Sequence, residues 1–178
     1  MSDFANITAG GARSTAGLIY IGSLDDTGLT VQAQYNPKEL QVDKNIGWQK
    51  KNQANQANPT GLQLEFTGAE GRSMSLELLF DGYESKTSVA GQVAALNKMA
   101  SVIDPTSSDE NKRRPHLCIC AWGSTVSSFQ CVIQSVSAKY TMFSESGDPL
   151  RATCTLKLME ASVVSNATDS SAGATPES

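Results

Sequence analysis

Residues 62–80 read LQLEFTGAEGRSMSLELLF, a stretch in which apolar and polar residues alternate on both sides of a glycine-containing segment. Every second residue is apolar before the segment 67–71, and again from Met74 to Phe80. Because successive side chains of a strand point to opposite faces of a sheet, this pattern predicts two strands with one buried face each. The segment between them has the composition of a turn, so the two strands are expected to pair as a β-hairpin.

Another hairpin is predicted near the start of the chain. Residues 18–24 and 29–35 alternate in the same way around residues 25–28, which have a typical turn composition. Asn36-Pro37 then ends the second strand, since proline lacks a main-chain N–H for a ladder and restricts the residue before it. The chain is therefore expected to turn here.

Three further strands are predicted in the last third of the chain, at residues 117–122, 129–143 and 151–159. Residues 146–149 form the predicted turn between the last two strands. In the final strand, alternate residues are apolar and are expected to face the core, namely Ala152, Cys154, Leu156 and Leu158.

Only one segment has the spacing of an amphipathic helix. It follows Thr87 or Ser88 as candidate N-caps and ends at Asp104-Pro105. Its apolar residues are three or four positions apart: Val89, Val93, Leu96, Ala100 and Ile103. Residues 104–116 are charged and predict an exposed connection back to the sheet.

The remaining segments are polar. Residues 48–59 are rich in amide side chains and predict a loop or an extended arm. We expect a flexible N-terminal segment at 1–17 and a Ser/Ala/Thr-rich tail at 162–178. Between them, residues 18–161 predict one mainly β domain: an antiparallel β-barrel, or a split barrel of two packed sheets, with one amphipathic α-helix.

Composition excludes several classes of protein. The chain has 178 residues, a length typical of one domain, with 14 basic and 18 acidic residues and a net charge of -4. Its basic residues are scattered, which disfavours nucleic-acid recognition. No apolar run approaches the roughly 20 residues of a membrane-spanning helix, so direct membrane insertion is not expected. The N-terminus lacks the pattern of a cleaved signal peptide, which favours assembly in the cytoplasm.

The sequence contains no recognisable motif for a catalytic or metal site. His116 is the only histidine and precedes a predicted strand, with no acidic residue paired to it in the sequence. We therefore expect a histidine at the edge of the sheet without a catalytic role. The spacing of Cys118 and Cys120 places both on one strand face, and with Cys131 and Cys154 they are expected to be reduced core residues. No nucleotide-binding glycine motif is present. We therefore expect no cofactor, no metal and no enzyme activity.

Five motifs together resemble one family. They are Tyr35-Asn36-Pro37-Lys38-Glu39, LLFDGYE at 78–84, Arg114-Pro115 before a strand ending in Trp122-Gly123, SVSAKYTMF at 135–143, and GDPLRA at 147–152. Over about residues 18–161 the chain is similar to the tube-like domain of contractile injection systems. That family includes the baseplate hub adaptor, or inner-tube initiator, of contractile injection particles and contractile phage tails.

This resemblance implies a structural subunit with a β-barrel-like fold and one packed helix, six copies of which form a hexameric ring. The ring would link the spike protein to the inner-tube protein, contact baseplate wedge components and initiate the tube of a phage-tail-like particle. Related members commonly continue into a LysM module, whereas this sequence ends in a Ser/Ala/Thr tail. Peptidoglycan binding is therefore not expected.

Candidate interface residues come from the aromatic residues near strand ends and from the family motifs. For each aromatic residue, a place in the core is the alternative, because interface hot spots are a minority. We expect the arm 48–59 and the hairpin tip 68–71 to contact the next ring. The candidates for subunit or ring-stacking interfaces are Tyr35, Asn36, Pro37, Trp48, Gly68, Gly71, Tyr83, Arg114, Tyr140, Phe143 and Arg151.

Two other functions remain open from the sequence. An inner-tube protein that polymerises along the whole tube would need near-identical upper and lower faces. A monomeric ligand-binding β-barrel, or a hydrolase on a β-scaffold, would need a closed apolar pocket or convergent catalytic residues.

Overall fold

The computed structural model describes residues 17–50, 64–124 and 126–162. Nine strands and one α-helix form the regular structure of this part of the chain, with a 3-10 turn at Glu110–Lys112. The strands are β1 (Tyr20–Ser23), β2 (Thr30–Gln32), β3 (Leu40–Asp43), β4 (Ile46–Lys50), β5 (Leu64–Ala69), β6 (Ser73–Asp81), β7 (Cys118–Trp122), β8 (Val126–Phe143) and β9 (Pro149–Glu160), and the helix α1 is Ala90–Ala100.

All of these strands pair in antiparallel fashion. Seven of them form one sheet in the order β2-β1-β7-β8-β9-β6-β3, and β4 and β5 form a separate two-stranded ribbon. The predicted first hairpin is confirmed as β1 and β2, with Ile21 opposite Val31. The three strands predicted in the last third are confirmed as β7, β8 and β9. The predicted class, mainly β with one α-helix, is therefore correct.

The hairpin predicted at 62–80 is wrong, because its two strands do not pair with each other. β5 pairs with β4, while β6 lies between β3 and β9. The strands β3 and β4 thus run antiparallel to β5 and β6 as one long, bent hairpin. Its tip, with residues 51–59 of the predicted loop or arm, lies outside the described residues, whereas Trp48 to Lys50 belong to β4.

A single apolar core lies on one face of the large sheet, and α1 packs against β8, β2 and β9. The four predicted core residues of β9 are all completely buried, as the alternation required. The cysteines are free and buried, and desolvation raises the pKa of both Cys118 and Cys120 to about 12. At that value the thiols are neutral and behave as small apolar side chains.

The sheet is strongly curled but is not a closed barrel, since its edge strands β2 and β3 do not pair with each other in the described part of the chain. One corner is nevertheless bridged. The side-chain amide of Gln34 donates to the carbonyl oxygen of Asp81 and accepts from the Asp81 N–H, both at 2.8 Å. Gln34 follows β2 and Asp81 ends β6, so one side chain takes the place of a ladder rung. This geometry is compatible with the predicted split barrel.

The helix is shorter than predicted. It begins after Val89, and the Ser88 hydroxyl accepts a hydrogen bond from the Ala90 N–H at 3.2 Å. It ends at Ala100, because Ser101 is extended and Ile103 donates its N–H to the carbonyl oxygen of Arg114. The buried face consists of Val89, Val93, Leu96 and Met99.

The connection 104–116 is exposed at its start, but its end is buried, contrary to the prediction. Arg114 forms a bidentate ion pair with Asp25, at 2.9 Å from each carboxylate oxygen. The His116 side chain is 3% exposed, so it is not a solvent-facing edge residue. Arg114 thus binds the turn after β1 and His116 binds Ser23 at the end of β1, a region far away in the sequence.

Candidate subunit interface

The strand β8 is the longest in the described part of the chain, and about two thirds of one of its edges is open. Its first residues, up to Cys131, pair with β7. From Cys131 to Phe143 it pairs with β9 on its other side. Among the described residues, no strand pairs with the β7-side edge of residues 132–143. This segment therefore presents main-chain donors and acceptors in a row, as an edge strand does.

A second open edge lies on the opposite side of the same part of the sheet. β3 pairs only with β6, and β4 only with β5, within the described residues. The outer edge of residues 40–50 is thus also open, and every residue from Gln41 to Asn45 is exposed. The two open edges have similar length and lie on opposite sides of the β8-β9-β6-β3 sheet.

The β4–β5 ribbon, which we call the arm, carries exposed apolar side chains. The rings of Trp48 and Phe66 meet edge to face, with centroids 5.5 Å apart. Their side chains are 59% and 55% exposed, respectively, and Ile46 and Leu64 beside them are also exposed. A register shift between Gly47 and Trp48 sets the direction of the tryptophan. In a single copy of the chain, the pair of Trp48 and Phe66 is therefore exposed to solvent on one side.

Local backbone geometry explains the glycines of the arm. A Cβ on Gly47 would collide with the Thr67 hydroxyl, and Gly68 opposite has a φ of +141°, which favours glycine. The candidate Gly71 lies against β9, where a Cβ would stand 3.0 Å from the carbonyl oxygen of Glu160. These glycines shape the base of the arm and bring its two strands together.

Exposed aromatic residues cluster at the opposite end of the sheet, near the ends of β6 and β8. Tyr35 follows the Gln34–Asp81 bridge, and Tyr83 lies two residues beyond Asp81. Phe143 ends β8, opposite Pro149. Tyr35, Tyr83 and Phe143 are each more than half exposed, and Tyr140 is 40% exposed. In the single chain, these four candidates lie outside the core.

The other candidates are engaged within the chain. Asn36 accepts the Ile19 N–H and donates to the carbonyl oxygen of Gly17, and Pro37 is buried. Arg151 binds the Asp81 carboxylate, and this pairing lowers the pKa of Asp81. Asp81 in turn accepts the Tyr83 N–H at 3.0 Å, so the ion pair fixes the loop that carries Tyr83.

The outer face of the central strands is mainly polar, although Leu79 of β6 and Met159 of β9 are 38% and 40% exposed on it. It is the face of β6, β8 and β9 opposite the core, where Ser135 lies opposite Lys157 and Ser137 opposite Thr155. Hydroxyl and ammonium groups of this kind are well hydrated and need no apolar partner.

Two further features concern ligands and membranes. A solvent-open cleft of about 350 Å³ lies near the N-terminus of α1, lined largely by polar residues that include Gln34, Ser85 and Thr87. In the described residues, no group of three or more His, Cys, Asp or Glu side chains could hold a metal ion. No helix in the described ranges is long and apolar enough to cross a bilayer.

Sequence reasoning missed Ile46, Leu64 and Phe66 as surface residues. Leu64 and Phe66 alternate with polar residues in the same way as buried strand residues, so periodicity alone assigns them to a core. A usable signal was the polar run that begins at residue 49, because it suggested that this part of the chain projects away from the core.

Comparison with known proteins places this architecture in a family. A search of curated proteins gave no match. The family model described as contractile injection system tube protein matches residues 22–168, which is most of the chain. That range includes the open edge of β8, most of the curled sheet and the arm. The chain therefore belongs to the contractile injection system tube protein family.

Proposed function

We propose that this chain is a non-enzymatic structural subunit that forms a hexameric ring, links the central spike to the inner tube and initiates tube assembly. Family membership supports a structural role in a contractile injection system. The ring size, the baseplate position and the spike as partner rest on the motif resemblance. Assembly takes place in the cytoplasm, and the ring then becomes part of a phage-tail-like particle.

The pair of open strand edges carries this proposal. An edge at 132–143 on one copy is complementary to the edge at 40–50 on the next, because each offers unpaired main-chain groups over a similar length. The two edges differ, so the contact is heterologous, and a heterologous contact that closes gives a ring without free edges. Main-chain pairing of this kind also accounts for an open strand that the monomer does not cover.

Contacts between rings belong to the two ends of the sheet. The arm, with Trp48 and Phe66, projects from one end, and the aromatic residues Tyr35, Tyr83 and Phe143 lie at the other. We assign one end to the inner tube and the other to the spike. Residues 18–161 act as the assembling domain in this proposal, flanked by the segments 1–17 and 162–178.

The first experiment is native mass spectrometry with negative-stain imaging of the full chain, at several concentrations, alone and with the spike protein. We expect six-fold rings, formed alone or templated by the spike. A protein that stays monomeric with the spike present would contradict the ring.

A matched pair of proline substitutions tests the edge at 132–143. N–H groups of successive strand residues point to opposite edges, so Ser137→Pro and Ala138→Pro remove donors on different sides of β8. We expect one variant to lose monomer stability through its β9 ladder. The other should keep most of its stability but lose ring assembly. If both variants assemble as the wild type does, the open edge is not the ring contact.

An inner-tube protein that polymerises along the whole tube is the second candidate. The family description favours it, and the apolar residues at both ends of the sheet suit axial stacking. Long stacks of rings formed without the spike would favour this function over the initiator.

A further inference from the structure

The only histidine of the chain is buried where three segments meet. His116 is 3% exposed, and its Nδ1 lies 2.8 Å from the Oγ of Ser23. Ser23 ends β1, and His116 ends the connection that leads into β7. The turn after β1, residues 24–29, lies against both. Nothing in the proposed ring uses this cluster, so the inference drawn from it is independent of that proposal.

Hydrogen bonding determines the protonation state of the imidazole. The Ser23 Oγ accepts the N–H of Asp25 at 3.1 Å and the N–H of Asp26 at 3.0 Å. A hydroxyl oxygen has two lone pairs and one proton, so both acceptor sites are filled. The hydroxyl proton must therefore be donated to Nδ1 of His116. The imidazole is neutral, with its own proton on Nε2.

The charged groups around His116 belong to three segments. Asp25 and Asp26 lie on the turn, Arg114 on the connection and Lys98 on α1. Asp25 is already bound to Arg114 and accepts the Leu117 N–H at 2.7 Å. Burial lowers the pKa of His116 below 6.5, and the two cations act in the same direction, whereas the two carboxylates oppose them. Burial is the largest of these effects.

We propose that His116 is an acid-sensitive latch, which favours the closed form of the turn 24–29 when neutral and shifts the equilibrium toward opening of the turn when protonated, against the Asp25–Arg114 ion pair that also holds it. A protonated Nδ1 would point an N–H at an oxygen whose lone pairs are both in use. Ser23 could accept it only by giving up the N–H of Asp25 or Asp26. Protonation is thus coupled to opening of the turn, while the central strands stay folded.

The direction of the pH dependence follows from the coupling between proton binding to His116 and opening of the turn. In the open turn the imidazole is solvated and titrates near its ordinary pKa of about 6.5, whereas the closed form binds the proton more weakly. The closed form is therefore most stable above about pH 6.5 and loses stability as the pH falls from there toward the lower pKa. Between about pH 7.5 and 5.5, the opening equilibrium should rise up to about tenfold. The hydrogen bonds from Arg114 lower the pKa of Asp25, so this carboxylate stays ionised in this window.

Two measurements on the full chain test the latch. The ring protons of the single histidine give its pKa directly by NMR titration, and we expect a value below 6.5. Hydrogen exchange at the amides of Asp25 and Asp26, corrected for intrinsic rates, should show protection that falls up to about tenfold between pH 7.5 and 5.5.

Two variants provide the controls. In His116→Asn, the Oδ1 replaces Nδ1 as acceptor and does not titrate, so the pH dependence at these amides should disappear. In Ser23→Ala, the same amides should exchange rapidly at both pH values. A histidine pKa at or above 6.5 would overturn the latch, as would an unchanged pH dependence in His116→Asn. The titration of the wild-type protein decides the matter even if that variant does not fold.

Discussion

Gly82 is the glycine position at which the structure most clearly leaves no room for a Cβ atom. It follows β6, donates its N–H to the carbonyl oxygen of Leu150 at 2.7 Å and accepts the Thr87 N–H at 3.0 Å. A Cβ at this position would collide with the main-chain carbonyl of Thr87, which belongs to the same tight loop and cannot move aside alone. The motif around residues 78–84 thus contains a glycine for a local steric reason.

Gly82→Ala should lower the free energy of unfolding by about 1–3 kcal/mol, the usual cost of overpacking. Gly91→Ala is the matched control, since Gly91 lies in α1 with nothing within 4 Å of an added Cβ. That variant should gain about 0.5–1 kcal/mol from the better helix propensity of alanine. Urea unfolding measures both, and equal losses would contradict the steric argument.

Glu160, at the end of β9, is a carboxylate whose pKa is strongly lowered by its hydrogen bonds. Hydrogen bonds from the Arg72 side chain and main-chain N–H lower its pKa to about 2 from 4.5. Its stabilising contribution is therefore complete above pH 4.5 and is lost as the pH falls toward about 2. Glu160→Gln should flatten the fall in Tm over that interval, whereas Glu84→Gln on an exposed turn should not. An unchanged slope in Glu160→Gln would disprove the linkage.

At the scale of the element, the arm shows where periodicity misleads. From Leu62 to Phe80 the apolar residues of the alternation occupy even-numbered positions without a change of phase. Two strands joined by a turn can bury even-numbered residues in one strand and odd-numbered residues in the other. A single bent strand keeps the same alternation along its whole length. The structure has β5 and β6 in succession along one side of a long hairpin. The alternation correctly marks both segments as strands, but the partner of each strand and the burial of Leu64 and Phe66 were predicted wrongly.

Trp48→Ala should reduce assembly far more than it reduces monomer stability, because the side chain is 59% exposed in the single chain. Tyr83→Ala, at the other end of the sheet, should behave in the same way. Leu156→Ala is the contrasting control, since that residue is fully buried, and it should cost about 2–5 kcal/mol of folding free energy. Thermal unfolding and native mass spectrometry separate the two effects. If Trp48→Ala lowers stability and assembly equally, the interface assignment fails.

At the scale of the whole molecule, the Gln34 side-chain amide bridges two regions of the sheet that are 47 residues apart in sequence. Gln34→Ala would remove both hydrogen bonds to the main chain of Asp81 and should cost about 0.5–1.5 kcal/mol, because water can replace the amide at this exposed site. Gln41→Ala, on exposed β3, is the control and should change stability by less than about 0.5 kcal/mol. We also expect faster hydrogen exchange at Asp81 in Gln34→Ala alone. Unchanged exchange there would mean that the corner is held by other contacts.

Alternation and spacing in the sequence predict β1, β2 and β6 to β9, the buried face of β9, the four core cysteines and the approximate position of the helix, whereas β3 and β4 were not predicted. These features depend on alternation and spacing within a few residues, which local chemistry sets. The pairing of β4 with β5, the Gln34–Asp81 bridge, the burial of His116 and the open edge of β8 are visible only in the folded molecule. Each of these depends on contacts between segments far apart in sequence, and an alternating pattern states which face of a strand is buried but not which strand lies beside it.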